Sequence, residues 1–74
     1  MKTLDTLKID KLGIVKKINN TPIKRRLQDI GLIENTLVKC ELINPGGNFI
    51  AYRIRGALIA IRKEDSKNVI IETI

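Results

Sequence analysis

Cys40 is the one cysteine of the chain, and histidine is absent. A cysteine nucleophile needs a neighbouring base, and imidazole, the usual one, is missing. Zinc and its relatives take three or four ligands from thiolate, imidazole and carboxylate groups. A lone Cys with no Cys-x-x-Cys does not begin such a set. The carboxylates, from Asp5 to Glu72, lack the spacing of a calcium loop. Glu64 and Asp65 adjoin, but next to Arg62 and Lys63 they suit a solvated turn. Gly46-Gly47 is followed by Asn48 and not by the Gly-Lys-Ser/Thr that cradles phosphate. Acid–base work would fall to a carboxylate or lysine shifted by burial. A 74-residue chain buries only about 60% of the surface its unfolded form exposes. The inventory predicts no catalytic residue, no metal ligands, no cofactor and no enzyme. Cys40 is expected to be a buried, inert core residue.

Binding chemistry remains. Lys24-Arg25-Arg26 forms a basic run, and Arg53 and Arg55 alternate along one segment, with Arg62 expected close by. These cations can be a solvated helix face, or cross-strand partners of Glu41 and Glu72 worth about 0.2–1 kcal/mol each, or contacts to another molecule. Phe49, Leu58, Ala60 and Ile70 are surplus to so small a core. If contiguous at the surface, they would mark a partner site.

The elements that position these residues follow from pattern. Thr3 to Leu7 reads as an irregular lead-in plugging one end of the core. Leu12 to Ile18 is short and β-rich, a first strand. Thr21 suits a helix N-cap and Pro22 the first helical position. Ile23, Leu27 and Ile30 then share one face of a helix over about 22–30, with Gly31 as its C′ residue. Glu34-Asn35-Thr36 reads as a turn. From 37 to 42, Val38, Cys40 and Leu42 point one way, Lys39 and Glu41 the other. Asn44-Pro45-Gly46-Gly47-Asn48 is the strongest turn signal. Ile50, Tyr52 and Ile54 alternate with Ala51, Arg53 and Arg55 in a third strand. A fourth runs from Ala57 to Ile61 with Ile59 and Ile61 inward. After a polar turn over Glu64 to Asn68, a fifth covers Val69 to Thr73. About five short strands with one helix between the first two predict a mainly β chain, one domain over 1–74, closed as a small barrel or sandwich.

The net charge is +6, falling from +3 over residues 1–20 to 0 over residues 61–74. That suits nucleic acid, anionic lipid or an acidic protein surface. Nucleic acid is disfavoured, because stacking residues are limited to Phe49 and Tyr52, on opposite faces of one strand. No apolar run reaches the roughly 20 residues that span a bilayer, and Met1 to Asp5 does not lead into a signal peptide. The expected location is the cytoplasm, with no membrane insertion.

Three segments carry a family likeness. Arg26-Leu27-Gln28-Asp29-Ile30-Gly31-Leu32, Asn44 to Ile50, and Arg55-Gly56 through Arg62-Lys63 resemble, in order and spacing, the Arg-x-Leu-x-x-Leu-Gly, Ala-Pro-x-Gly-Asp-Pro-Ile and Arg-Gly…Leu-Arg-Lys segments of the FeoA family. No one segment is specific; the three in register are. The resemblance runs from about residue 7 to the C-terminus. It implies an SH3-like β-barrel, also met as a domain of metal-dependent repressors, and a cytoplasmic accessory role in ferrous iron uptake. The implied partner is FeoB, a membrane iron transporter with a GTP-binding domain. Members are often described as binding transition metals; this chain lacks the soft ligands for it. On this reading the partner-binding candidates are Arg25, Arg26, Phe49, Arg53, Arg55 and Leu58. Pairing of copies through a strand edge is the alternative use of spare apolar surface. Two departures stand out. The family's Pro-Gly after the helix is Glu34-Asn35 or Asn35-Thr36 here, where Asn still tolerates a left-handed turn. The central Asp-Pro is Asn48-Phe49, which removes a charge and adds an aromatic.

Overall fold

Alternation decides which side chains go inward. Ile50, Tyr52 and Ile54 are all buried, as are Val38 and Cys40 across from them. The computed structural model describes residues 1–74. Its strands are β1 (Lys2–Thr3), β2 (Leu12–Ile18), β3 (Leu37–Ile43), β4 (Phe49–Ile54), β5 (Ala57–Arg62) and β6 (Val69–Thr73). They form one antiparallel sheet in the order β1-β6-β2-β3-β4-β5. The helix α1 (Lys24–Asp29) follows β2, and a single turn, α2 (Lys63–Ser66), follows β5. The mainly β architecture expected from the sequence is present.

The sheet wraps one core without closing its hydrogen-bond ladder, since β1 and β5 remain its edges. Tyr52 on β4 shows how far the sheet curls. Its hydroxyl lies 3.1 Å from the Leu4 carbonyl, just past β1, and 3.3 Å from Ser66 Oγ on α2. The helix α2 packs on both β5 and the 3-10 turn Leu4–Thr6, bridging the open seam. Leu4, Val15, Leu27, Leu32, Ile61 and Ile71 join the central strand residues in a single cluster.

Five expectations are corrected. The lead-in is not wholly irregular: it pairs Lys2 with Ile71 and Thr3 with Ile70, adding a sixth strand. The polar turn after β5 is helical over Lys63–Ser66, with Ser66 wholly buried. The helix begins at Lys24 with Ile23 in the cap position, and neither Thr21 nor any other side chain caps it. Instead the Lys24 N–H donates to the Thr21 carbonyl at 3.0 Å in a preceding turn. Leu42 points outward and is 57% exposed, because the register slips between Cys40 and Leu42. A slip of one residue reverses the face of everything beyond it. A matching irregularity between Val15 and Lys17 in β2 lets both Val15 and Ile18 point inward at odd spacing. Finally β4 ends at Ile54, so Arg55 belongs to a turn.

The C-terminal end of α1 follows the sequence reading. Leu32 N–H donates to the Leu27 carbonyl at 3.1 Å and Gly31 N–H to Gln28 at 3.0 Å, the paired bonds that end a helix when C′ is left-handed. Gly31 sits there at φ +110°.

Candidate functional site

Ile54 pairs with Ala57, so only Arg55 and Gly56 connect β4 to β5. Both have positive φ, +51° and +83°, which marks the type I′ hairpin turn. Such turns favour Asn, Asp or Gly at both positions. An L-residue with an ordinary side chain costs about 1–2 kcal/mol in the left-handed region. Arg55 is therefore held in a conformation that a smaller residue would adopt more readily.

Two of the three sequence segments meet at this turn. A Cβ added to Gly31 would lie 3.0 Å from Ile54 Cγ2 and 3.3 Å from Arg55 Cδ. The stem of Arg55 thus crosses the left-handed residue that ends α1. Glycine at 31 serves both the backbone angle and this close approach.

Beside the turn opens a groove of about 530 Å³. Leu12, Leu37 and Val38 supply its apolar lining, and Lys39, Arg53 and Arg55 its cations. Glu34, Asn35, Thr36 and Gly56 complete the wall. Register explains the composition. Leu12 pairs with Lys39, Lys39 with Arg53, and Arg53 with Leu58, so one row crosses β2, β3, β4 and β5 on the outer face. Leu37 and Leu12 are half-exposed, at 49% and 38%. They point outward because Val38 and Cys40 point inward.

The cations differ in what they touch. Arg53 Nε lies 3.4 Å from Glu41 Oε2, and its Nη1 donates to the Gly56 carbonyl at 3.4 Å, tying the turn to the sheet. Lys39 Nζ is 3.8 Å from Asp10 and 3.9 Å from Glu41. Arg55 makes no ion pair and donates no side-chain hydrogen bond; the nearby Glu34 carboxylate stays beyond 4.0 Å of it. In the groove wall Thr36 is only 8% exposed, and its Oγ1 has no hydrogen-bond partner within the chain. An unmade bond on a buried hydroxyl costs about 1–3 kcal/mol.

The remaining candidates lie elsewhere. Phe49 and Arg26 line a smaller cleft of about 220 Å³ between α1 and β5, with Ile23, Ile30 and Ile59. Arg62 stands 5.8 Å over the Phe49 ring and pairs with Glu64 at 3.6 Å. The expectation that Arg62 neighbours Arg53 and Arg55 is overturned. Arg62 sits opposite Phe49, about 13 Å along the strand from Arg53 at 3.3 Å per residue. Arg25 projects into solvent and pairs with Asp29 at 3.6 Å. Leu58, 52% exposed, extends the outer row beside Arg53. Three of the six candidates, Arg53, Arg55 and Leu58, therefore share a surface. The sequence reading missed Leu12, Leu37 and Thr36, although strict alternation around Val38 already places Leu37 outward.

Cys40 is fully buried, and burial pushes its thiol up from the ordinary value. No three His, Cys, Asp or Glu side chains are grouped so that they could hold a metal ion. No helix is long and apolar enough to cross a membrane.

The model of the FeoA domain matches residues 2–73. The NMR structure of a FeoA-like protein from Clostridium acetobutylicum is 27% identical, with a TM-score of 0.90 over 97% of this chain and 85% of that one. The FeoA protein from Chlorobium tepidum is 25% identical, with a TM-score of 0.88 over 96% and 69% of the two chains. The Stenotrophomonas maltophilia FeoA crystallised with zinc is 22% identical, with a TM-score of 0.85 over 97% and 91%. That protein is described as an SH3 domain protein and a candidate activating factor of bacterial ferrous iron transport. No curated protein matches the chain.

Proposed function

The chain belongs to the FeoA family, and on that premise we propose that it is a non-catalytic accessory protein of ferrous iron uptake. It acts in the cytoplasm by docking on a FeoB-type membrane transporter that carries a GTP-binding domain. The observation that carries this reading is the family match across residues 2–73. The surface supports it. An outer face of leucines interleaved with cations, with open grooves and no enclosed cavity, suits recognition of another protein more than chemistry.

A nucleic-acid role gains nothing from the structure. Tyr52 is buried in the core, leaving Phe49 as the one exposed ring, too little for a stacking platform.

The test is affinity capture of the transporter's cytoplasmic part on the immobilised chain, in the nucleotide-free, GDP-bound and GTP-bound states. The expected result is retention in at least one state at tens of micromolar. Absence of retention in all three overturns the proposal.

A further inference from the structure

We infer that the groove beside the Arg55–Gly56 turn receives an acidic segment of the partner protein, one that places apolar side chains on Leu12 and Leu37 and a carboxylate on Arg55. This inference rests on the proposal that the chain acts by docking on another protein, and it names the surface and the chemistry that surface selects. Three observations converge on it. The groove, of about 530 Å³, pairs an apolar lining with cations. Lys39 and Arg53 are already neutralised by Asp10 and Glu41, whereas Arg55 has no carboxylate of its own. Arg55 also occupies a left-handed turn position, φ +51°, where Asn would fold more easily. Residues kept in strained backbone against easier alternatives cluster at ligand sites. An arginine is suited to such a place, because its planar fork takes a carboxylate through two parallel hydrogen bonds. The flanking leucines exclude water from that pair and so strengthen it.

The partner's chemistry follows from charge. The groove lining holds three cations and one carboxylate, Glu34, so a neutral apolar segment would leave Arg55 partly desolvated and unpaired. A segment alternating Asp or Glu with Leu or Ile satisfies both halves of the surface.

The experiment is calorimetric titration of the full chain with the cytoplasmic part of the FeoB-type transporter, at 50 and 500 mM NaCl. Arg55→Asn should weaken binding at least tenfold and flatten its salt dependence, while its Tm stays equal to or above that of the parent. Leu37→Asn should weaken binding to a similar degree. Lys67→Asn, which removes the same charge from a residue beyond the groove, should bind within twofold of the parent. Parent binding that persists within twofold in both Arg55→Asn and Leu37→Asn overturns the groove assignment and leaves the docking proposal standing. Failure of the parent chain itself to bind overturns both. Equal losses in Arg55→Asn and Lys67→Asn would show an effect of net charge alone and would also overturn the groove assignment.

Discussion

Tyr52 brings a hydroxyl into the interior, where burial without a partner costs about 1–3 kcal/mol. Its proton goes to the Leu4 carbonyl, which can only accept, while Ser66 Oγ beside it donates to the Arg62 carbonyl at 3.2 Å. Tyr52→Phe should therefore destabilise the chain by about 1–2 kcal/mol at pH 8 in urea unfolding. Burial, the largest cause, pushes the Tyr52 phenol above its ordinary 10.0. The unfolded chain thus loses this proton first. The stabilisation is complete below about pH 10 and declines above it at about 1.4 kcal/mol per pH unit. The gap between the parent and Tyr52→Phe should shrink between pH 10 and 11.5; a constant gap would contradict the linkage. Cys40 is also pushed up by burial, but it is present in both proteins and largely drops out of the comparison. The inward face of Tyr52 was legible from alternation with Ile50 and Ile54. Its partners were not, because Leu4 and Ser66 lie 48 and 14 residues away in the chain.

At the scale of elements, the turn between β4 and β5 and the end of α1 form one contact. Gly31 and Gly56 both hold positive φ, +110° and +83°. A Cβ at Gly56 would meet nothing within 4 Å, while one at Gly31 would press on Ile54 and Arg55. Gly56→Ala should then cost only the backbone term, about 1–2 kcal/mol. Gly31→Ala should cost that and a steric term of about 1–3 kcal/mol besides. Equal losses of stability in urea titrations would refute the close approach. Both glycines were readable as chain breaks. That they bracket one contact was not, since a break says where an element stops and not what it stops against. Leu42 shows the same limit in a strand. Its alternation with Val38 and Cys40 is unbroken in sequence, and the slip opposite Ala51 is a property of the pairing.

For the whole molecule, the weakest line runs along the seam between β1 and β5. Every other strand boundary carries a hydrogen-bonded ladder, whereas the seam is spanned by Tyr52, Leu4 and the single turn α2. Regions with few backbone bonds to lose open at lower free energy than ladders buried in a sheet. Amide exchange should accordingly be fastest in β1 and α2 and slowest in β3 and β4. Leu4→Ala, at a wholly buried position, should cost about 2–5 kcal/mol and speed exchange in α2. Protection of α2 equal to that of β4 would contradict this picture. The open edges also bear on solubility: β1 is two residues long, and short edge strands resist unwanted pairing.

By itself the sequence determined which residue types this protein can bring to a site, and which way most of its strand residues face. Histidine is absent and cysteine single, which leaves few residue types for chemistry, and period-two alternation alone assigned Val38, Cys40, Ile50, Tyr52 and Ile54 to the core, where all five lie. It also carried the family pattern, since that pattern is an order of short segments along the chain. Only the tertiary structure decided which surface residues stand together. Arg53, Arg55 and Leu58 joined Leu12 and Leu37 on one face, Phe49 and Arg26 went to another, and Arg62 moved to the far end of its hairpin. The physical reason is that burial is read locally, from each residue's own side of its strand. A groove is made by neighbours in space, and which neighbours meet depends on strand register, on two slips within it, and on a sheet that curls until its fourth strand in sequence touches the residue after its first.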